Sequence, residues 1–386
     1  MIYLDNGATT FPKPPSVYKA VNQAMTTYGA NPGRSGHYMS MKASEIMFDC
    51  RKNAAKLFNI DNPENIIFTS NCTNALNTVI KGILKKGDHA VISSLEHNSV
   101  VRPLQTLAEN GITYSVAECV PYDDEKTIDN FRNAINDRTK LVICTHASNV
   151  FGIKLPVYRI AALCRIYGIL FCLDAAQTAG VTPISLKDSC IDYLCTAGHK
   201  GLYGPMGTGI LVINSKITPK SLVEGGTGSM SVNIEQPLQL PDKYESGTPN
   251  LIGIAGLNQG INYLLNKDIN NIEDYETLLA QRMYDGLSRI KNVILYTKRP
   301  SKKYSVSVIS FNIKGLNCES VADILNTKYN IAVRSGLHCS PFAHKQYGTL
   351  DIGTVRAVIS IFNTKYHIDY FCQCINRIAK AETRGK

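Results

Sequence analysis

The sequence contains no hydrophobic run long enough to cross a membrane. Its longest apolar stretches, such as "GILVI" at 209–213, have the length of a strand, whereas a membrane-spanning helix needs about 20 apolar residues. The N-terminal segment "MIYLDNGATTFPKP" also lacks the basic and apolar regions of a secretory signal. From these absences we expect a cytoplasmic protein that does not bind membranes.

Metal-binding and disulfide patterns are missing as well, although the chain has twelve cysteines. There is no CxxC pair and no series of Cys and His residues with zinc spacing, so we expect no metal site. A chain without an export signal is expected to keep its cysteines as free thiols.

A concentrated basic patch is also lacking, despite a net charge of +10. The basic residues are scattered apart from the run "KRPSKK" at 298–303, and no nucleic-acid-binding module accompanies that run. We therefore interpret it as a solvated loop and expect no nucleic-acid partner.

What the sequence does contain is a regular alternation of strand and helix patterns. In the first half, strand-like apolar runs at 65–70, 89–94, 140–146 and 169–174 alternate with helical patterns, and further strand-like runs follow at 191–196 and 208–213. This alternation predicts an α/β fold with a mostly parallel sheet covered on both faces. Beyond about residue 265, helices frame short strands, which predicts a smaller α+β domain at the C-terminus.

One cysteine stands in a setting unlike that of a structural thiol. Cys339 lies in "RSGLHCSPF", residues 334–342, among polar, cationic and loop-forming neighbours. Such surroundings are typical of a reactive thiolate, whereas a structural cysteine usually sits among aliphatic residues. The stretch makes Cys339 a candidate nucleophile.

A second candidate is the lysine in "TAGHKGLYGPMGTGIL", residues 196–211. Lys200 follows a strand and precedes a glycine-rich turn. A lysine at the carboxyl end of a strand can form a Schiff base with an aldehyde cofactor, although a lone lysine is far more often a surface residue. The run "GPMGTG" fits neither common nucleotide-binding motif.

Other polar residues at strand ends decide between these interpretations. They offer an acid for a ring nitrogen, a flat ring to stack, a helix start for a phosphate and amides for a ring oxygen, which are the needs of pyridoxal phosphate. Each alone could be a helix cap or turn former. The set is Asp174, Gln177, Thr73, His97 and Asn149.

An ordered series of motifs resembles a known family. The chain is similar to the class V aminotransferase-fold enzymes, in their cysteine desulfurase and selenocysteine lyase branch. The motifs are "YLDNGATT", "NPGRSGH", "EHNSVV", "HASNVFG", "DAAQTAG", "GHKGLYGPMGTG", "YESGTPN", "RSGLHC" and "TVRAVISIFNT". The resemblance implies the type I fold of pyridoxal-phosphate-dependent transferases with a seven-stranded sheet. We expect 13–264 to form the large domain, and 1–12 with 265–386 to form the small one.

The resemblance also implies a role for each candidate residue. Lys200 would be the Schiff-base lysine, Asp174 the partner of the ring nitrogen and His97 the stacking residue. The remaining cofactor contacts would be Gln177 and Asn149 to the ring hydroxyl, and Thr73 and His199 to the phosphate. Thr248 matches a residue that reaches the phosphate of the partner subunit, which implies a homodimer with shared sites. Arg356 matches the arginine that binds the substrate carboxylate.

The reaction implied by the resemblance uses Cys339 as the sulfur acceptor. Lys200 would remove the Cα proton of L-cysteine, the Cys339 thiolate would take the sulfur, and L-alanine would leave. Arg334, His97 and His338 are candidates to ionise the thiol or return protons, and Arg334 and Asn149 are also candidates for substrate binding. The short loop resembles the Suf type, which implies a protein acceptor for the persulfide.

Two positions depart from the family pattern. Ala197 stands where the family usually has a Ser or Thr hydroxyl for the phosphate, unless Thr196 or a water replaces it. Gly201 lengthens the segment after Lys200 by one residue relative to Suf-type enzymes. Arg34 and His37 lie in a segment that lines the site in relatives, and the sequence assigns them no role.

Three alternatives to a cysteine desulfurase remain open at this point. The same scaffold could act as a selenocysteine lyase, which depends less on the thiol. It could catalyse transamination or another lyase reaction, although Cys339 argues against this. Finally, it could be a cofactor-free sulfur carrier or scaffold, which only Ala197 favours.

Overall fold

The computed structural model describes residues 1–33 and 36–384 of the chain. The strands of the described chain are β1 Ile2–Tyr3, β2 Ile66–Thr69, β3 His89–Ser93, β4 Thr113–Ala117, β5 Thr139–Thr145, β6 Leu170–Asp174, β7 Tyr193–Ala197, β8 Gly209–Ile213, β9 Val293–Leu295, β10 Val308–Ile313, β11 Ile331–Ala332, β12 Arg334–Gly336 and β13 Thr354–Val358. The α-helices are α1 Pro15–Thr26, α2 Tyr38–Phe58, α3 Cys72–Ile83, α4 Asn98–Ala108, α5 Asp124–Ala134, α6 Val157–Ile166, α7 Leu251–Lys267, α8 Ile269–Ser288, α9 Cys318–Tyr329, α10 Pro341–Gln346 and α11 Lys365–Arg384.

The largest sheet has seven strands in the order β2-β8-β7-β6-β5-β3-β4. The pairs from β4 across to β7 are parallel, and β8 runs antiparallel to both of its neighbours. This confirms the prediction of an α/β fold with a mostly parallel sheet. Because parallel strands end at the same edge, loops that follow β3, β5, β6 and β7 come together there.

Helices cover both faces of this sheet, as its apolar strands require. Along β3, Ala90 and Ile92 belong to a core formed with α3 and α4, whereas Val91 belongs to a core formed with α2, α6 and α7. Successive side chains of a strand point to opposite faces, so the continuous apolar runs of the sequence supply both cores.

A second, antiparallel sheet has the order β12-β13-β10-β9 and packs on α8, α9 and α11. The N-terminal strand β1 pairs with β11, and Leu4 is buried in the core of this unit. The N-terminal strand therefore belongs to the same unit as the C-terminal sheet. The division at residues 12–13 and 264–265 stays a prediction.

Two classes of structural feature were also sought in the described part of the chain. No helix there is both long and apolar enough to span a membrane. Within the same residues, no group of three or more His, Cys, Asp or Glu side chains could hold a metal ion. All twelve cysteines lie within the described ranges and are free thiols.

Candidate active site

A cavity of about 490 Å³ opens at the carboxyl ends of the parallel strands. Seven of the eight predicted cofactor-binding residues line it, namely Thr73, His97, Asn149, Asp174, Gln177, His199 and Lys200. The structure thus brings together residues that are up to 127 positions apart in the sequence, and we call this cavity the lysine pocket.

The amine of Lys200 has a lowered pKa. Burial is the main cause, and the guanidinium groups of Arg356 and Arg334 lower the pKa further, while Cys72 and Asp174 oppose them. A lysine acts as a nucleophile only in its neutral form. The environment of Lys200 therefore favours the form that attacks an aldehyde.

Asp174 ends the buried strand β6 and supplies an acid to the pocket. Its Oδ1 accepts hydrogen bonds from the Ala176 amide at 2.9 Å and from the Cys72 thiol at 3.5 Å. Burial raises the pKa of the carboxyl, against the hydrogen bond from Ala176 and the charge of Lys200. A buried carboxylate of this kind is stabilised by a cationic partner. Cys72 is a contact that the sequence did not predict.

His97 caps the start of α4 and presents a neutral ring to the pocket. Its Nδ1 accepts from the Ser99 amide at 3.0 Å, so in the neutral ring the proton resides on Nε2. Burial lowers the pKa of His97 to about 4, and the charges of Lys200 and nearby arginines add to this effect. A neutral imidazole is well suited to stacking on an aromatic ring.

The start of α3 forms a cradle for an anion. Asn71 caps the helix by accepting from Asn74, which leaves the amides of Cys72 and Thr73 without an intrahelical partner. Helix N-termini of this kind bind phosphate groups. The Thr73 hydroxyl lies 2.8 Å from the Ser99 hydroxyl, which is a second residue that the sequence reasoning missed.

His199 adds a buried polar atom to the same pocket. Its Nδ1 has no hydrogen-bond partner among the described residues. Burial lowers the pKa of His199 to about 4, with contributions from Lys200 and Lys13. This nitrogen is therefore available to a polar group bound in the pocket.

The structure shows the surroundings of the two positions that depart from the family pattern. Ala197 lines the lysine pocket, whereas Thr196 lies on the opposite face of β7 and donates to the Ala175 carbonyl oxygen at 3.4 Å. Thr196 therefore does not replace the missing hydroxyl. A Cβ atom on Gly201 would lie 2.4 Å from the Ala179 carbonyl oxygen, so the additional residue has to be glycine.

Arg356 lies on β13 with only 1% of its surface exposed. Its NH1 donates to the Asn149 carbonyl oxygen at 2.8 Å, and its NH2 donates to Asp5 Oδ1 at 2.9 Å. Its Nε has no partner within the described ranges. Arg334 lies opposite Arg356 on the adjacent strand and is exposed. The contact with Asp5 was not predicted from the sequence.

The N-terminal segment also touches the lysine pocket. The Gln177 amide donates to the Gly7 carbonyl oxygen at 3.2 Å, and the Thr10 hydroxyl donates to the Lys200 carbonyl oxygen at 3.1 Å. A Cβ atom on Gly7 would lie 3.3 Å from Cζ of Arg356. The segment that contains Asp5 therefore packs on both Lys200 and Arg356.

The Cys339 loop is fixed to the wall of the lysine pocket. The Cys339 carbonyl oxygen accepts from the Asn98 amide at 2.8 Å, at the start of the helix that His97 caps. Asn149 donates through Nδ2 to the His338 carbonyl oxygen at 2.7 Å and accepts through Oδ1 from the Ser340 hydroxyl at 2.6 Å. The Cys339 side chain is exposed.

His338 is buried and its ring contacts strand β13. Its Nε2 lies 3.1 Å from the Thr354 carbonyl oxygen. Burial lowers the pKa of His338 to about 2, and the charge of Arg356 lowers it further. The role of His338 in ionising the thiol or returning protons stays a prediction.

The remaining predicted residues lie elsewhere. Thr248 lines a separate cavity together with Thr69 and Asn74. His37 caps α2 by accepting at Nδ1 from the Ser40 amide at 3.3 Å, and this contact gives it a structural role. Arg34 lies outside the described residues.

Comparison with known proteins identifies the family. The model of the family described as aminotransferase class-V matches residues 2–371. The chain belongs to the class-V aminotransferase family. This membership confirms the resemblance inferred from the motifs, and the fold is the type I fold of pyridoxal-phosphate-dependent transferases.

Several members of this family resemble the chain over nearly its whole length. A probable cysteine desulfurase of Pyrococcus abyssi is 34% identical, covering 99% of this chain and 95% of the relative. A probable cysteine desulfurase of Synechocystis is 31% identical, covering 97% of this chain and 90% of the relative. Among solved structures, the apo cysteine desulfurase of Thermococcus onnurineus superposes with a TM-score of 0.89 at 33% identity, with 98% of this chain and 95% of that chain covered.

Proposed function

We propose that this class-V family member is a pyridoxal-phosphate-dependent cysteine desulfurase. It converts L-cysteine to L-alanine and forms a persulfide on Cys339. One observation carries the proposal: the backbone of an exposed cysteine is hydrogen-bonded to Asn98, and that of the preceding His338 to Asn149, beside a pocket that contains a lysine with a lowered pKa. Relatives named cysteine desulfurase support the choice of substrate.

The residues of the lysine pocket fit pyridoxal phosphate. Lys200 would hold its aldehyde carbon, Asp174 would face the ring nitrogen and His97 would stack on the ring. The phosphate would lie at the start of α3, where two free amides and the orphaned Nδ1 of His199 are available. When bound, the cofactor supplies an electron sink that acidifies the substrate Cα–H bond.

The hydroxyl that Ala197 lacks would be supplied by a neighbouring residue. Ser99 lines the pocket and its hydroxyl lies within hydrogen-bond distance of both Thr73 and His97. The amide of Asn149 uses one of its two N–H groups on His338, which leaves the other for the ring oxygen. Gln177 would complete the contacts on that side of the ring.

The reacting groups of the chain then have defined tasks. Arg356 would bind the substrate carboxylate, and its orphaned Nε is the donor available for it. Lys200 would take the Cα proton and hold it on its amine. The Cys339 thiolate would attack the substrate sulfur, the C–S bond would break with its electrons passing to carbon, and a returned proton would complete alanine. The exposed Arg334 would assist as a cation near the thiol.

We further propose a homodimer in which Thr248 completes the partner's site. The segment before Thr248 exposes apolar side chains, and Val232 and Ile234 are as accessible as in an extended chain. Exposed apolar patches of this kind indicate protein contacts. Light scattering is expected to give twice the chain mass of 42.4 kDa, and a monomer would contradict the proposal.

Sulfur leaves the enzyme, in this proposal, through a protein acceptor in the cytoplasm. The exposed position of Cys339 allows an acceptor thiol to reach the persulfide, and twelve free thiols suit a reducing compartment. A short loop fixed by hydrogen bonds cannot carry the sulfur far from the pocket, so the acceptor has to approach it.

The test of the proposed function is the release of alanine from L-cysteine in the presence of a reductant. Wild type and a Cys190→Ser control, which alters a half-buried cysteine, are expected to release alanine. Cys339→Ala and Lys200→Ala are expected to lose at least about 100-fold in rate, the usual scale for a nucleophile or acid–base group. Undiminished alanine release by Cys339→Ala would refute the proposed role of the thiol.

A further inference from the structure

Asn149 is the residue through which three parts of the site meet. Its backbone carbonyl accepts from Arg356, and its side-chain amide is held at both ends by the Cys339 loop. The same residue lines the lysine pocket. A single buried residue therefore contacts the pocket, Arg356 and the loop that presents the thiol.

The loop contributes a buried hydroxyl to this contact. Ser340 follows Cys339, is fully buried, and donates to Asn149 Oδ1 at 2.6 Å across 191 positions of sequence. A buried amide oxygen that loses its donor is left unsatisfied and destabilised. The short bond between Ser340 and Asn149 thus restrains the residue next to Cys339.

The backbone around Cys339 needs such restraint. His338 and Cys339 both have positive φ angles, 49° and 59°. This left-handed region is disfavoured for residues other than glycine and persists only where surrounding contacts hold it. The bonds from Asn149 to His338, from Ser340 to Asn149 and from Asn98 to Cys339 surround these two residues. The Ser340 amide also donates to the Leu337 carbonyl oxygen across the turn, and the His338 ring contacts the Thr354 carbonyl oxygen.

We propose that Ser340 is a positioning residue that, through Asn149, fixes the Cys339 loop and couples it to occupancy of the lysine pocket. The inference rests on the proposed function and adds a device to it. When a ligand orders Asn149 in the pocket wall, the same amide orders Ser340 and the backbone on either side of Cys339. Loading the pocket thereby sets the position of the thiol.

The test is hydrogen–deuterium exchange of the peptide that covers residues 334–342, with and without pyridoxal phosphate. In wild type, loading is expected to slow exchange of this peptide. Ser340→Ala is expected to speed its exchange by about fivefold, the factor that corresponds to one typical hydrogen bond, and to abolish most of the response to loading. Unchanged exchange in Ser340→Ala would overturn the proposal.

A matched control separates this role from general loosening. Ser94 is buried and follows β3, and its hydroxyl donates to Gln346 of α10 at 2.7 Å. It therefore connects the large sheet to the helix that follows the Cys339 loop, without contacting Asn149. Ser94→Ala is expected to leave the response of residues 334–342 to loading intact. If Ser94→Ala matches Ser340→Ala, the positioning role is wrong.

A second variant keeps the proposal testable if Ser340→Ala fails to fold. Asn98 is the first residue of α4, where proline is well tolerated, and the preceding His97 already has the extended backbone that proline requires. Asn98→Pro removes the amide that holds the Cys339 carbonyl oxygen. It is expected to speed exchange of the loop but to keep the slowing on loading, because the bond from Ser340 to Asn149 is intact. Loss of that slowing in Asn98→Pro would contradict the proposal.

Turnover provides a readout that a purely structural effect would not give. Ser340→Ala is expected to lower kcat for alanine release about fivefold with KM and cofactor absorbance unchanged. A rise in KM as large as the fall in kcat would contradict positioning of the thiol. Exchange is measured whether or not the protein turns over L-cysteine, so the expected exchange pattern without alanine release would refute the proposed function and leave the coupling standing.

Discussion

The ion pair between Asp5 and Arg356 is expected to stabilise the protein far more than a surface pair does. The Arg356 side chain is 2% exposed and that of Asp5 is 20% exposed, so Asp5→Asn would leave a buried guanidinium without its counter-charge. Removing one partner of a fully buried pair costs about 3–5 kcal/mol. Because Asp5 is partly exposed and the bond from Arg356 to Asn149 remains, we expect about 2–3 kcal/mol.

This loss converts to a measurable change in Tm. Unfolding entropy is about 2.1 cal/mol/K per residue, which for 386 residues gives about 0.8 kcal/mol/K. The Tm of Asp5→Asn is therefore expected to fall by about 3 °C in differential scanning calorimetry, with both proteins equally loaded with cofactor.

A surface pair of the same residue types provides the control. Arg282 and Asp369 are bidentate but 48% and 41% exposed, and exposed pairs contribute about 0–1 kcal/mol. Asp369→Asn is expected to lower Tm by no more than about 1 °C. If Tm falls equally in the two variants, or if Asp5→Asn leaves Tm unchanged, the reasoning about the buried pair is refuted.

Two further predictions concern the pocket and the dependence of stability on pH. Ser99→Ala removes the hydroxyl between Thr73 and His97 and is expected to weaken cofactor binding about tenfold in an absorbance titration; unchanged affinity would show that Ser99 does not replace the hydroxyl missing at 197. Burial raises the pKa of Glu276 to about 8 from an ordinary value near 4.5. The carboxyl therefore ionises at lower pH in the unfolded chain than in the folded one, and the free energy of unfolding falls as the pH rises between these two values. Glu276→Gln is expected to reduce the fall in Tm between pH 5 and pH 8, and an identical fall in both proteins would contradict this.

The central sheet was largely predictable because its strands are continuous apolar runs. The apolar stretches at 140–146 and 169–174 correspond to β5 and β6, both of which are buried. Strand β4 was not predicted, since it lies at the sheet edge and mixes exposed and half-buried residues. The antiparallel direction of β8 also has no local signal, because burial determines the composition of a strand but not its direction.

The candidate site was predictable where each residue follows a strand, and not where distant segments meet. Asp174 and Lys200 could be placed at the same sheet edge by the alternation of strands and helices. The contact of Asp5 with Arg356 joins residues 351 positions apart, and the contact of Ser340 with Asn149 depends on how the Cys339 loop packs. Neither pairing has a spacing or periodicity that a single sequence can reveal.

The measurement that tests the central claim most directly is the mass of the peptide containing Cys339 after one turnover. Wild type loaded with pyridoxal phosphate would be mixed with one equivalent of L-cysteine, trapped with an alkylating agent, digested and analysed by mass spectrometry. We predict the mass of one added sulfur atom on the Cys339 peptide, and no such addition in Lys200→Ala. Alanine release with the added sulfur absent from Cys339, or present on another cysteine, would contradict the account.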